Sequence, residues 1–230
     1  MENRYERMRV DELEAVREEC PLAYLPVGSL EYHGLHLPVG LDSLHAHECC
    51  LAASRQTGGV VLPPLFWGTQ GHEGFPGSLL ISEETLVRLT REILALLERQ
   101  GYRLIVICTG HHPFVQGAVL ARAAAEHMAR PGERETRPES SLVLVLSPFD
   151  YGDRAVDHAG AIETSLGLAL FPNLVRMEAQ QAGADAFNAV GANWPEASAD
   201  AGRTRFETAV EGIVTRVMSA LAQLPQPPGA

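Results

Sequence analysis

Four short apolar runs punctuate the chain, at residues 22–27, 60–62, 103–108 and 142–146, and each ends in loop-forming residues: Gly28-Ser29, Pro63-Pro64, Thr109-Gly110 and Ser147-Pro148. A short, continuous apolar run reads as a strand covered on both faces rather than one with a wet side. Between the runs the period changes to that of a helix. It is clearest over 82–100, where Leu86, Leu89, Ile93, Leu96 and Leu97 share a face. There Ser82 can cap the start, Glu83 and Glu84 suit the positive end, and Gly101 can stop the helix. Residues 42–56, 116–129, 161–170 and 207–224 are further helices, rich in Ala, Leu or Val. Strand and helix therefore alternate, which predicts an α/β chain with a mainly parallel sheet flanked by helices on both faces. Residues 131–141 form a polar loop. Nothing divides the chain, so 1–224 is expected to be a single domain and 225–230 a flexible tail.

Composition narrows the class of function. With 46% hydrophobic residues in 230, the chain can bury a sizeable core. The formal charge of −11, from 18 Lys and Arg against 29 Asp and Glu, leaves no basic stripe for a nucleic acid. No run reaches the ~18 apolar residues of a membrane span, and the first residues are charged where a signal peptide would be apolar. A cytoplasmic protein is expected, with a small molecule as its partner. Cys20, Cys49, Cys50 and Cys108 have no metal-ribbon or redox spacing and read as small apolar residues.

Histidine is the unusual component. Nine are present, and several lie in Gly- and Pro-rich stretches that follow the strands. The carboxyl ends of parallel strands converge on one rim, where such folds bind ligands. Glu31 and His33 are one residue apart, so an extended loop aims both to one side, toward a common metal. Asp42 stands at a helix start, where it could equally be an N-cap. His111 and His112 follow the third run. One is expected to be a ligand and the other a pocket residue, and spacing does not decide between them. Glu163, on the first turn of a helix behind His158, suits either a ligand role or the helix dipole. Three carboxylates (Glu31, Asp42, Glu163) and two imidazoles (His33, His111) suit Zn²⁺ or Mn²⁺, with Fe also compatible. Two such ions carry about +4, which three carboxylates and a hydroxide offset.

Four segments resemble the creatininase (creatinine amidohydrolase) family. They are Pro26-Val-Gly-Ser-Leu-Glu-Tyr-His-Gly-Leu-His-Leu-Pro38 with Asp42; Gly68 to Ser78 with His72 and Phe75-Pro-Gly-Ser78; Thr109-Gly-His111; and His158-Ala-Gly-Ala-Ile-Glu-Thr-Ser165. The resemblance implies a three-layer α/β sandwich assembled as a homohexamer and two divalent metal ions. Glu31, His33, Asp42, His111 and Glu163 would be ligands, with Asp42 bridging. His158 would transfer the proton, with Glu163 either a ligand or the group orienting the water. Gln70, His72 and His112 would line the substrate pocket. Trp67 reads as core in preference to an apolar pocket wall. The implied activity is hydrolysis of a C–N bond in a small cyclic amide or formamide-like substrate by a metal-bridging water. The alternatives are a sugar-like or other carbonyl substrate, or a non-catalytic binding protein with a degenerate second metal site. Pro113 stands where creatininase carries a liganding glutamate, so Glu163 or another group would have to complete the second ion. Gly71 replaces a frequent glutamate, and 151–154 lacks the tryptophan that covers creatinine. The substrate is therefore expected to differ from creatinine. His45, His47 and His127 read as ordinary helix residues.

Overall fold

The computed structural model describes residues 2–111, 115–129, 141–180 and 187–224. Its centre is a four-stranded, wholly parallel sheet of β1 (Leu22–Val27), β2 (Val60–Val61), β3 (Leu104–Thr109) and β4 (Leu142–Leu146) in the order β2-β1-β3-β4. Leu22 pairs with Leu104 and Val27 with Thr109, while Leu104 pairs with Leu142. The helices are α1 (Val10–Glu19), α2 (Leu41–Thr57), α3 (Glu83–Arg99), α4 (Val115–Met128), α5 (Ala161–Leu170) and α6 (Ala199–Leu221).

The continuous apolar runs are explained by the layers on either side. Successive strand residues point to opposite faces. Ala23, Leu25, Ile105 and Ile107 pack on one side with Leu86 and Leu94 of α3 and Leu120 and Ala123 of α4. Leu22, Tyr24, Leu104 and Val106 pack on the other with Cys49 and Cys50 of α2 and Ile213 and Val217 of α6. Helices thus flank a parallel sheet on both faces, as the alternation predicts, and together they make the three-layer α/β sandwich that the resemblance implies. Among the described residues no helix is long and apolar enough to cross a membrane.

Two helices depart from expectation. α1 was not anticipated, because its ten residues are mostly charged and only Leu13 and Val16 reach the core. α6 begins at Ala199 instead of Glu207, with Ser198 Oγ accepting from Ala201 N–H at 3.2 Å. Gly202 disguises that start by looking like a breaker. It is where α6 crosses α5, since a Cβ there would lie 1.9 Å from the Ser165 carbonyl oxygen. Trp67 is also corrected: it is 47% exposed and is not core. Gly68 tucks inward against Gly28 and Ser29, and the preceding residue faces outward in consequence. Cys49, Cys50 and Cys108 are buried as expected, and Cys20 is half-buried. The proposed tail and most of the 131–141 loop lie outside the described residues, as does His112.

Candidate metal centre

The carboxyl ends of β1 and β3 run side by side into Gly28 and Gly110. A Cβ on Gly28 would sit 2.2 Å from Ser43 N, and one on Gly110 would sit 2.1 Å from the Asp42 carbonyl oxygen. Only glycine lets the first turn of α2 rest directly on both strand ends, and this contact delivers Asp42, 2% exposed, over the sheet. After Ser29 the chain is extended, with Glu31 N–H bonded to the Val39 carbonyl at 2.8 Å. Glu31 and His33 accordingly face Asp42, while the Tyr32 ring meets Phe75 and Phe187 edge-on. His111 arrives directly from Gly110. Glu163 comes from the first turn of α5, whose free N–H groups at Ile162 and Glu163 are capped by Asp157 at 2.7 and 3.2 Å.

The two imidazoles are oriented alike. His33 Nδ1–H donates to the Glu31 carbonyl at 3.0 Å, and His111 Nε2–H donates to the Gln70 carbonyl at 2.8 Å. Each therefore turns its other nitrogen toward carboxylates. His111 Nδ1 lies 2.9 Å from Asp42 Oδ2 and 3.0 Å from Glu31 Oε2. His33 Nε2 lies 3.1 Å from Asp42 Oδ1 and 3.5 Å from Glu163 Oε2, yet makes no hydrogen bond among the described residues. Lone pairs at such distances repel unless a cation stands between them. With metal–ligand lengths near 2.1 Å, neighbouring ligands of one ion sit about 3.0 to 3.4 Å apart, which matches these spacings. The donors fall into two triads, Glu31/Asp42/His111 and His33/Asp42/Glu163, with the atoms of each within 4.8 Å of one another. Asp42 is common to both, one oxygen toward each. A third group joins Glu31 and His33 to His158.

Without ions the charge balance must come from protons. Burial opposes charge on His33 and His111, but Asp42 and Glu163 beside the first, and Asp42 and Glu31 beside the second, push their pKa values up to about 10 and about 11. Burial also works against the Glu31 carboxylate, yet the His111 hydrogen bond and charge hold it down at about 2. Burial raises Glu163 to about 8, although its Oε2 accepts the Ala159 N–H at 2.7 Å. Asp42 lies well below the usual carboxylate range: burial opposes its charge, but His33 and His111 outweigh it.

The remaining expected residues surround a cavity of about 270 Å³ lined by Glu31, Gln70, His72, His111, His158 and Glu163, among others. His72 donates to Glu31 Oε1 from its main chain at 2.9 Å and from Nδ1 at 2.5 Å, which leaves Oε2 for His111. His158 Nε2–H donates to the Tyr32 carbonyl at 2.7 Å, and its ring stacks on His72 with centroids 4.0 Å apart. Burial and the neighbouring His33 lower its pKa to about 4, so the imidazole is neutral. The Gln70 side chain turns away to Glu83, and its carbonyl rather than its amide serves the site. Gly71 has φ +127°, and a Cβ there would lie 2.4 Å from Glu31 Oε1, so this backbone has no room for a glutamate.

Sequence reasoning passed over two supporting residues. Ser29 Oγ–H donates to Asp42 Oδ2 at 2.6 Å. The buried Gln116 amide ties three loops together, donating to the Gly28 carbonyl and Thr109 Oγ1 and accepting the Thr69 N–H. Ser29 stood in the quoted motif and could have been flagged, whereas Gln116 carries no local signal.

Comparison with known proteins shows the family and the fold. Residues 6–217 match the family described as Creatininase: Creatinine amidohydrolase. The chain is 29% identical over 177 residues to creatinine amidohydrolase of Pseudomonas putida, covering 70% of this chain and 68% of that protein. It is 25% identical to 3-dehydro-scyllo-inosose hydrolase of Thermotoga maritima, covering 76% and 58%. Against the mycofactocin precursor peptide peptidase of Mycolicibacterium smegmatis it is 33% identical, covering 66% and 59%. The matched region thus spans between about three fifths and two thirds of these relatives. Among solved structures, creatinine amidohydrolase superposes with TM-score 0.81 at 25% identity, covering 96% of this chain and 99% of that one. A creatininase variant described as Zn–Zn type gives 0.79 at 25% with the same coverage. This chain belongs to the creatininase family.

Proposed function

We propose that this creatininase-family protein is a hydrolase that holds two divalent cations, Zn²⁺ or Mn²⁺, and cleaves the C–N bond of a small amide. The observation that carries the reading is the division of Asp42 between two complete triads. Glu31 and His111 would hold one ion with Oδ2, and His33 and Glu163 the other with Oδ1. Three protein donors per ion leave open positions, as catalytic sites require. With Glu163 in the second triad, no side chain is needed at position 113.

Bound there, two cations would supply a water acidified toward a pKa of about 7 and a Lewis acid for a carbonyl oxygen. The chain's residues do the rest. His72 fixes Glu31 through Oε1. His158, neutral and tied through Nε2–H to Tyr32, keeps a lone pair on Nδ1. That atom can accept a proton as water adds to the carbonyl and return it to the departing nitrogen. The stacked His72 and His158 rings form a wall suited to a small, planar substrate group. The relatives carry names for creatinine, an inosose and a peptide precursor as substrates, so the family scaffold supports several carbonyl substrates; the cavity of about 270 Å³ favours the small ones.

Elemental analysis of protein expressed with added Zn²⁺ or Mn²⁺ tests the reading. About two equivalents per chain are expected, and in Asp42→Asn at least one is lost together with hydrolysis. Protein free of stoichiometric metal, or an Asp42→Asn variant with full turnover, overturns it.

A further inference from the structure

His36 sits on the loop that carries Glu31 and His33, yet it joins none of the ligand groups among the described residues. It is 1% exposed, and its Nε2 lies 2.9 Å from Oγ1 of Thr164, the residue that follows Glu163 on α5. Burial, with His33 beside it, lowers its pKa to about 4, so the ring is neutral. The Thr164 hydroxyl donates to the Ala159 carbonyl at 3.4 Å, which leaves its oxygen to accept the His36 Nε2–H. A buried imidazole that only filled space would need no such partner.

The residue at the end of this chain of bonds is strained. Ala159 is fully buried and has φ +48°, a left-handed conformation that an alanine keeps only where its surroundings impose it. Here Ala159 is held from both sides. Thr164 takes its carbonyl, and its N–H donates to Glu163 Oε2 at 2.7 Å. That carboxylate oxygen is the one that stands 3.5 Å from His33 Nε2. The aim of Glu163 toward the second cation position therefore depends on the Ala159 N–H, and through it on the hydroxyl and imidazole behind. The first triad is supported elsewhere: Glu31 by His72, Asp42 by Ser29 and His111 by the Gln70 carbonyl. None of those three bonds passes through α5.

We propose that His36 is a positioning residue for the second cation: with Thr164 it holds Ala159 in its left-handed conformation, and the Ala159 N–H in turn holds Glu163 toward His33. The inference rests on the two-ion reading above and adds that the two positions are supported independently.

Mn²⁺ is a suitable probe, because electron paramagnetic resonance of the free ion counts what the chelator-treated full chain takes up and gives the affinity of each position. Thr164→Val keeps the shape of the side chain and removes the hydroxyl. It should weaken one of two positions by about 10- to 100-fold, the usual effect of losing a partner to a ligand, and leave the other unchanged. The surviving affinity should equal that left in Glu163→Gln, which removes the second triad's own ligand. His36→Leu should behave like Thr164→Val, and the double variant no worse than either, since both remove one bond. His36→Gln and Thr164→Ser, which keep a hydrogen bond between the two side chains, should retain both positions. Equal weakening of both positions in Thr164→Val, or affinities it leaves unaltered, overturns the proposal, and so does a His36→Gln variant no better than His36→Leu. A parent chain that takes up fewer than two ions overturns the two-ion reading and this inference with it. A parent that takes up two, beside a Thr164→Val variant that matches it, overturns this inference alone. None of the readouts involves hydrolysis.

Discussion

Loading the metal centre should release protons, and the number follows from the geometry. In the ion-free fold His33 and His111 titrate near 10 and 11, so at about pH 7.5 both are imidazolium. Their outer nitrogens already donate to carbonyl oxygens, and the extra protons therefore sit on His33 Nε2 and His111 Nδ1, the atoms that must bind cations. Filling both positions expels about two protons, and Glu163, raised to about 8, adds roughly 0.8 more. Titrating chelator-treated protein with Zn²⁺ in buffers of different ionisation enthalpy measures the total directly. The water held by the cations, acidified toward a pKa of about 7, would release roughly 0.8 more at this pH, so between three and four protons per chain are expected. Fewer than one would show that the inner nitrogens are not ligands and would refute the two-triad reading. Stability gives the same sign by a second route. The histidine pKa values are raised above the unfolded value of about 6.5, so their contribution is complete below that pH and is lost as pH rises through 10 and 11. Glu163 acts likewise between about 4.5 and 8. The melting temperature of the ion-free protein should therefore fall from about pH 6.5 upward, while that of the loaded protein should not, and the gap should widen with pH.

Two substitutions separate support from chemistry. Ser29→Ala removes the hydroxyl on Asp42 Oδ2 and should weaken metal retention against a competing chelator by about 10- to 100-fold, the usual effect of losing a partner to a ligand; unchanged retention would count against that role. His158→Gln should reduce turnover by about 10²- to 10⁴-fold with metal content unaltered. Loss of an ion in that variant would instead favour the Glu31/His33/His158 group as a true ligand set.

The fold was largely legible because its strands are covered on both faces. Residues 22–27 and 142–146 were bounded correctly, since layers on either side require apolar residues throughout. Long-range contacts obscured the exceptions. α1 uses two apolar residues to dock, too few to set a period, and the start of α6 is hidden by a glycine whose reason is a carbonyl on another helix. The site shows the same division. Glu31 and His33 could be paired from the alternation of an extended loop, and the structure brings both to Asp42. Gln70 lines the cavity as expected, but its main-chain carbonyl also orients His111 across 41 positions, a role no local pattern encodes. Gln116 reaches the Gly28 carbonyl across 88 positions, and no local pattern encodes such a contact. His36 stood in the quoted motif, but its partner Thr164 lies 128 positions away.

The glycines offer a way to tell folding from site assembly. Gly110 and Gly202 both exclude a Cβ by backbone contact, 2.1 Å from the Asp42 carbonyl oxygen in one case and 1.9 Å from the Ser165 carbonyl oxygen in the other. Alanine at either position must force two backbones apart, which overpacked cores tolerate at about 1–3 kcal/mol or more. In a chain of this size about 3 kcal/mol lowers the melting temperature by roughly 6–12 °C. Freed of ions, the two variants should thus look alike in a thermal scan, and they should differ in the metal they take up. Gly202→Ala spreads α5 from α6 at Ser165, two residues beyond Glu163, and leaves Asp42 seated on the strand ends. Gly110→Ala lifts the first turn of α2 and carries Asp42 away from both triads at once. Metal content should fall toward zero in Gly110→Ala and stay close to that of the parent in Gly202→Ala. Equal loss in both would mean that general destabilisation, and not the seat of Asp42 on β1 and β3, governs whether the ions are held.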